Sequence, residues 1–368
     1  MLSCNDTFHS ELTIIDNGYS NYTIVIPALA TEIEKKAAYK LQYYLREMSG
    51  TKLKVIPENK PWQSHAIYVG GCNSAKKLNI DFPALEEDGF SLKTQGQDFF
   101  ICGGKRNGTL FGVYDFLEQV GFRKYSPDAE LIPKKKLLRI PQYNITEIPV
   151  FHYRETLMPD ASDPDYAEWH KLHHRSEREK DWGMWVHTFD DLIPPEKYFK
   201  EHPEYFSLNN GVRSSKTQLC LSNSNVLDLV ILRLKDLISK NPQASHWSIS
   251  QNDTYGPCEC SGCENIDNQY GGVPSGSLIH FVNQVAERFP NKVISTLAYQ
   301  YSRKAPEGIK PAENVNIVLC TIELNRSRPI RTDPSSQGFV NDISNWKKLT
   351  NNILIWDYIV QFRNYLDP

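Results

Sequence analysis

Residues 293–322 read VISTLAYQYSRKAPEGIKPAENVNIVLCTI. Two runs inside this stretch, VISTLAYQ and VNIVLCTI, are apolar at successive positions, and a polar segment with two prolines and a glycine parts them. A strand with one wet face alternates apolar and polar residues, whereas a strand apolar throughout is covered on both faces, as in parallel sheets flanked by helices. Comparable runs recur on either side: VFHYRETL, GMWVHTF, TQLCLS and HWSISQ before it, NILIWDYIV after it. Helical spacing falls between several of them, as in Val226, Val230, Leu234 and Leu237, and again in Leu278, Val282, Val285 and Phe289. Seven such strands predict a (β/α)8 barrel of the TIM type over residues 146–368, incomplete at its last unit. A doubly wound sheet is the second reading, though no G-x-G-x-x-G follows a first strand.

Upstream, residues 12–145 read as a small α/β domain. LTIID and YTIVIP are strands joined through the turn-forming Asn17-Gly18. Thr31 caps a helix whose apolar positions Ile33, Ala37, Leu41, Leu45 and Met48 end at Gly50. KLKVI and AIYVGG are further strands, GFSLKT and DFFICGG a hairpin, and Thr109 to Gln119 a second helix. The Lys/Pro-rich stretch 133–141 marks the linker edge. Residues 1–11 read as a lipoprotein-like tail, with Ser3 before Cys4 as a lipid-attachment site, which places the protein in the periplasm or at the outer membrane. The chain ends at Asp367-Pro368, soon after a strand and with no closing helix, as a fragment of a longer protein would.

A length of 368 residues leaves room for two cores, and a net charge of −3 offers no footing for nucleic acid or an anionic membrane surface. No apolar run is long enough to span a bilayer. Aromatic residues make up 11% of the chain, with 19 Tyr and 7 Trp, a density that suits either sugar stacking or the cores of large α/β folds.

The second half concentrates the chemistry. Its strands end in Arg154, His187, Gln251-Asn252-Asp253, Tyr299, Glu323, and Asp357-Tyr358. In a barrel all of these reach one mouth. Asp253, Glu323 and Asp357 then supply the carboxylates that glycoside hydrolysis needs, one to protonate the leaving oxygen and another as nucleophile or base. Strand-end acids also cap helices or pair with arginine, so the argument rests on their convergence. Arg326, Arg328 and Arg331 follow Glu323, and with Arg154 across the mouth they suggest a uronic acid as substrate, since guanidinium forks bind carboxylates. Cys258, Cys260 and Cys263 crowd six residues, and Cys220 ends an earlier strand, a set that fits structural zinc or, in an exported protein, disulfides. Cys72, Cys102 and Cys320 read as buried thiols. His170, His173 and His174 stand at helical spacing and read as a solvated helix face rather than a metal site.

Segments TEIEKKAAYKLQYYLREMSGTKLKVI, AIYVGG and GKRNGTLFGVYDFLEQVGFRKYSPD together resemble the non-catalytic N-terminal domain that precedes the barrel in β-hexosaminidases and α-glucuronidases, which implies an accessory role for residues 12–145. HTF, HPEYFSLNNGVR, QLCLSN and SISQNDTYGPCECSGC resemble domain of unknown function 4838, a family similar to products of polysaccharide-utilisation genes of gut Bacteroidetes. The resemblance implies a barrel, a glycan substrate and acids after the fourth strand. Hexosaminidases carry an adjacent Asp-Glu pair there, and this chain reads Asn252-Asp253. The α-glucuronidase layout, one acid there and later carboxylates as base, fits Asp253 with Glu323 and Asp357 better.

The expectation is a glycoside hydrolase of complex, uronate-containing glycans: Asp253 as acid, Glu323 as nucleophile or base, Asp357 assisting. Arg154, His187, Gln251, Asn252, Tyr299, Arg326 and Tyr358 bind substrate, and no catalytic cofactor is needed. A catalytically inactive glycan-binding barrel is the alternative, and metal-dependent hydrolysis a third reading.

Overall fold

The computed structural model describes residues 11–62 and 64–359. The chain folds as two compact units, Met1–Glu177 and Arg178–Pro368. The expected lipoprotein tail and Cys4 lie outside the described residues. Among the described residues no helix is long and apolar enough to cross a membrane.

The first unit runs through β1 (Leu12–Asp16), β2 (Tyr22–Ile26), α1 (Glu32–Ser49), β3 (Val55–Pro57), β4 (His65–Val69), β5 (Phe90–Gln95), β6 (Asp98–Gly103) and α2 (Gly108–Gln119). It continues with β7 (Arg123–Ser126), β8 (Ala129–Leu131), β9 (Leu137–Ile140), β10 (Asn144–Glu147) and α3 (Pro164–Trp169). Six strands form a mixed sheet in the order β10-β5-β6-β4-β2-β3. Side chains alternate across it as the pleat requires: Ile24, Ile67, Phe99 and Ile101 pack with Leu41, Leu45 and Phe111 of the helices, while Val25, Ala66, Tyr68, Phe100 and Cys102 form a second cluster with Cys72. The start of α1 is as read: Thr31 and Glu34 complete a reciprocal capping box, and Gly50 closes the helix at φ +80°.

The boundary expected after residue 145 falls inside this unit. Trp169 is buried beside Tyr44 and Tyr114 and donates its indole N–H to Glu118 at 2.9 Å, while Lys36 and Lys40 pair with Glu168 and Asp165. These contacts hold residues 159–174 to the first core. VFHYRETL is accordingly not a strand, and Arg154 ends no strand of the second unit's parallel sheet. Its guanidinium donates to the carbonyls of Lys171 and Phe151 and to Asp88 Oδ2, at 3.0, 2.6 and 3.2 Å. The three histidines share no helix, because the chain turns at Lys171 (φ +57°). His173 is buried rather than solvated. Its Nδ1 accepts the Arg154 backbone N–H (2.8 Å), which leaves Nε2 to donate to Asp88 Oδ2 (2.8 Å).

The second unit contains β11 (Trp182–Met184), just after α4 (Arg175–Asp181) at the boundary. It continues with α5 (Phe189–Leu192), α6 (Pro195–Tyr198), the hairpin β12 (Leu208–Asn209) and β13 (Val212–Arg213), and α7 (Ser224–Lys240). Then follow β14 (His246–Ser248), α8 (Ser261–Gln269), α9 (Ser275–Glu287), β15 (Val293–Ala298), β16 (Val315–Cys320), α10 (Gln337–Leu349) and β17 (Ile353–Trp356). Five strands pair in parallel in the order β11-β14-β15-β16-β17. Strand order follows chain order without reversal, which sets aside the doubly wound reading. One face packs on α7, α9 and α10 through Trp247, Ile249, Ile294, Ile317 and Leu319; the other carries Leu297, Tyr299, Val318, Cys320, Leu354 and Trp356.

This second face is concave. Strands about 4.8 Å apart would put the edges of a flat five-stranded sheet roughly 19 Å from each other. Yet the rings of Trp185, just past β11, and Trp356, at the end of β17, lie 5.5 Å apart. The result is an open, strongly curled sheet, and the described residues do not close it into an eight-stranded barrel. TQLCLS, expected as a strand of it, instead makes one isolated bridge, Leu219 to Phe206.

The Asp88 cluster yields a test. Burial acts to raise its pKa, but hydrogen bonds from His173 and Arg106 more than offset this and hold the carboxyl well below its ordinary 3.8. A depressed folded-state pKa stabilises above the ordinary value and loses that contribution as pH falls through and below it. Asp88→Ala, which strands Arg106, Arg154 and His173, should cost about 3 kcal/mol at neutral pH. In urea unfolding that deficit should shrink between pH 5 and 3; an unchanged wild-type midpoint in the variant at pH 7 would refute it.

Candidate active site at the carboxyl edge of the sheet

Parallel pairing brings every strand's carboxyl end to one edge, so the residues after β11, β14, β15, β16 and β17 meet there. These are His187, Asp253, Tyr299, Glu323, and Asp357 with Tyr358. Asp253 is exposed, and its Oδ1 accepts the Tyr299 hydroxyl at 3.0 Å and the Gln300 side-chain amide at 3.4 Å. Tyr299 is otherwise buried; burial first, then the Asp253 carboxylate, pushes its phenol up to about 12. Glu323 is ion-paired to Arg303 at 3.0 Å, and Arg303 is braced by buried Asp342 at 2.7 Å. Asp357 accepts the Thr321 hydroxyl at 2.7 Å.

Asp253 and Glu323 act on the same neighbours. The Cys320 thiol is pushed up to about 12 by burial and then by Glu323 and Asp253. The Tyr358 phenol is raised by burial, then by Cys320, Tyr299 and the same two acids. A thiol held protonated in this way is no nucleophile at neutral pH.

His187 and Gln300 are non-glycine residues in left-handed backbone, at φ +57° and +50°, immediately past β11 and β15. Strain of this kind persists only where the surroundings over-determine it, and it clusters at functional sites. The His187 backbone N–H donates to Ser250 Oγ (2.9 Å), and its Nδ1 faces the Gln251 carbonyl at 2.8 Å. Nδ1 therefore carries the proton in the neutral ring, and Nε2 is left as an acceptor 5.9 Å ring-to-ring from Tyr299.

Three expected substrate-binding residues serve the scaffold instead. Gln251 is fully buried and donates inward to the Tyr299 carbonyl and Ser302 Oγ. Asn252 donates to Asp190 (2.8 Å) and the Thr217 carbonyl (2.7 Å). Arg326 donates from its three nitrogens to the carbonyls of Tyr358, Leu324 and Ile322, which orients the loop after β16 and uses the fork that a uronate would need. Of the four arginines behind the uronate expectation, Arg154 lies in the first unit and Arg326 is bonded to main-chain carbonyls.

Other residues here carried no legible signal. Arg303 and Thr321 meet their acids only through folding, and Gln218, in a segment read as a strand, is a clasp. Buried Gln218 accepts the Asn252 N–H at 2.9 Å and donates to the Asn252 and Thr254 carbonyls at 2.9 and 2.8 Å. Behind the clasp, the Sγ atoms of Cys220, Cys258, Cys260 and Cys263 lie within 4.8 Å of one another, and none is in a disulfide. They form the one such group of metal-ligating side chains among the described residues.

Residues 124–368 match the family model described as Domain of unknown function (DUF4838), which is more than half of the chain. The chain belongs to the DUF4838 family. Residues 17–116 match the Glycosyl hydrolase family 67 N-terminus, in accord with the resemblance of the first unit. No curated protein matches the chain. Among solved structures, a GH20 β-N-acetylhexosaminidase from Streptomyces coelicolor A3(2) is similar at 13% identity, covering 95% of this chain and 72% of its own, with a TM-score of 0.46. A β-N-acetylhexosaminidase from Bacteroides fragilis NCTC 9343 is similar at 9% identity over 97% of this chain and 76% of its own, at 0.47. A family GH115 4-O-methyl-α-glucuronidase is similar at 10% identity over 85% of this chain, which spans 46% of that enzyme, at 0.44. Likeness at this level carries no correspondence of residues.

The Tyr299–Asp253 hydrogen bond can be tested in this DUF4838 chain by replacing Asp253→Asn. Tyr299, followed by NMR of labelled tyrosine, should then titrate lower than in the wild type, because a charged acceptor is gone while burial remains. An unmoved Tyr299 would break the pairing.

Proposed function

We propose that this DUF4838 protein is a glycoside hydrolase whose active site is the concave carboxyl edge of the second unit, on a scaffold wound as part of a (β/α)8 barrel. The observation that carries the reading is that Asp253, Glu323 and Asp357 follow β14, β16 and β17 at one edge of a parallel sheet, with the Tyr299 hydroxyl bonded to Asp253. The glycosyl hydrolase family 67 N-terminal match of the first unit supports it independently. Asp253, reachable from solvent, donates the proton to the glycosidic oxygen as the bond to the anomeric carbon breaks. Glu323, ion-paired to Arg303, attacks that carbon or deprotonates the water that does. Asp357 and His187 Nε2 accept hydroxyls of the sugar, and the Trp185–Trp356 pair supplies an apolar floor.

The Arg303–Glu323 ion pair and the Asn at position 252 also favour a second reading, a glycan-binding protein without turnover. In that case the acids only accept hydrogen bonds from bound sugar. Metal-dependent hydrolysis would need a ligand set with an open position, and the group of four cysteines offers a closed one.

A panel of host and plant glycans incubated with the longest available form of the protein separates the two readings. Hydrolysis predicts product release, and a loss of roughly 10²–10⁴-fold in kcat for Asp253→Asn and for Glu323→Gln with glycan affinity retained. Binding without product across the panel, or variants with undiminished kcat, would overturn the catalytic assignment.

A further inference from the structure

We propose that Cys220, Cys258, Cys260 and Cys263 hold one structural zinc ion, and that this ion fixes the loop carrying Asp253. Zinc–thiolate bonds of about 2.3 Å in a tetrahedron place sulfurs roughly 3.8 Å apart. All four Sγ atoms here lie within 4.8 Å of one another, with Cys220 and Cys260 at 3.5 Å. Disulfides would join them in pairs at about 2.05 Å, and none is bonded. Three of the four cysteines are buried, and four thiols crowded this closely make only weak S–H contacts with one another unless a metal joins them.

The surroundings supply what a zinc tetrathiolate, with its net negative charge, requires. The Leu208 backbone N–H points at Cys258 Sγ at 3.4 Å, and the Arg213 guanidinium lies 3.6 Å from the same sulfur. The Ser222 hydroxyl lies 3.3 Å from Cys263 Sγ and 3.5 Å from Cys260 Sγ. N–H and O–H groups aimed at ligand sulfurs are the outer shell that orients and tunes metal thiolates. The hairpin that brings Leu208 and Arg213 turns through Asn210 and Gly211, both at positive φ, so LNNGVR is shaped to cover the cluster. Four sulfur ligands leave no position for water, which makes the ion structural.

The same residues reach the mouth by short covalent paths. Gln218, which clasps Asn252 and Thr254, is two residues before Cys220. Cys258 is five residues after Asp253, and Pro257 between them is held through its carbonyl by Asn209 of the hairpin at 2.7 Å. A metal that ties Cys220 to Cys258 therefore ties both flanks of Asp253. This inference stands apart from the hydrolase reading, because metal content and loop protection are measured without substrate.

The test uses the full chain, expressed with zinc and iron supplied equally and purified without chelator. Mass spectrometry of bound metal should find one zinc per chain, unchanged in Cys72→Ser and lost in Cys220→Ser. Because the Cys220 variant can fail to fold, the wild-type protein is also titrated with a mercurial while released zinc is read with a chromogenic chelator. Cobalt in place of zinc should show the intense visible bands of a tetrahedral tetrathiolate. Extraction should speed amide exchange at Asn252 and Thr254 roughly tenfold or more while strands of the first unit keep their protection. Iron in place of zinc, a disulfide among the four cysteines in the native protein, or no bound metal would overturn the site. Unchanged exchange at Asn252 and Thr254 would overturn its positioning role.

Discussion

Parallel pairing of β14, β15, β16 and β17 is the constraint on which the second unit depends. It forces every strand to end at the same edge, and burial of both faces forces each strand to be apolar until it leaves the sheet. Polar side chains are therefore released together, at one place, within one or two residues of the strand ends. The curl reported by the Trp185–Trp356 contact turns that edge from a line into a concave mouth. Function is then a matter of which released side chains face the opening and which turn back to hold it.

The mouth divides along that line. Asp253, Glu323 and Asp357 stay exposed past the strand ends, whereas Gln251, Asn252 and Arg326 hydrogen-bond back to main chain and to Asp190. The division follows burial: an amide or guanidinium withdrawn from water must satisfy its donors on protein acceptors, and carbonyls at strand ends are the nearest supply. Such residues fix the loops that carry the acids. The thiol cluster extends this support outward from the mouth, through Gln218 on one flank and Pro257 on the other.

Much of the scaffold was legible because its signals are local. The capping box and terminal glycine of α1, the two buried runs at β15 and β16, and the clustering of Cys258, Cys260 and Cys263 all follow from residues near each other in the chain. VFHYRETL and TQLCLS carry the same apolar and β-branched composition as true strands, yet neither joins the sheet. Their partners are remote: Arg154 meets Asp88 across 66 positions, and Gln218 meets Asn252 across 34. Composition reports that a segment is buried, and it does not report what buries it.

The sequence by itself determined the α/β class, the parallel strands with their polar ends, and the Cys set near Asp253, because periodicity and spacing act over a few residues. Only the tertiary structure decided that Arg154 and His173 belong to the first unit around Asp88, that Arg303 pairs with Glu323, and that Tyr299 donates to Asp253. Each of those pairings depends on where a burial-driven fold places charges that are far apart along the chain, and a desolvated charge takes whichever counter-charge or donor the packing brings within reach.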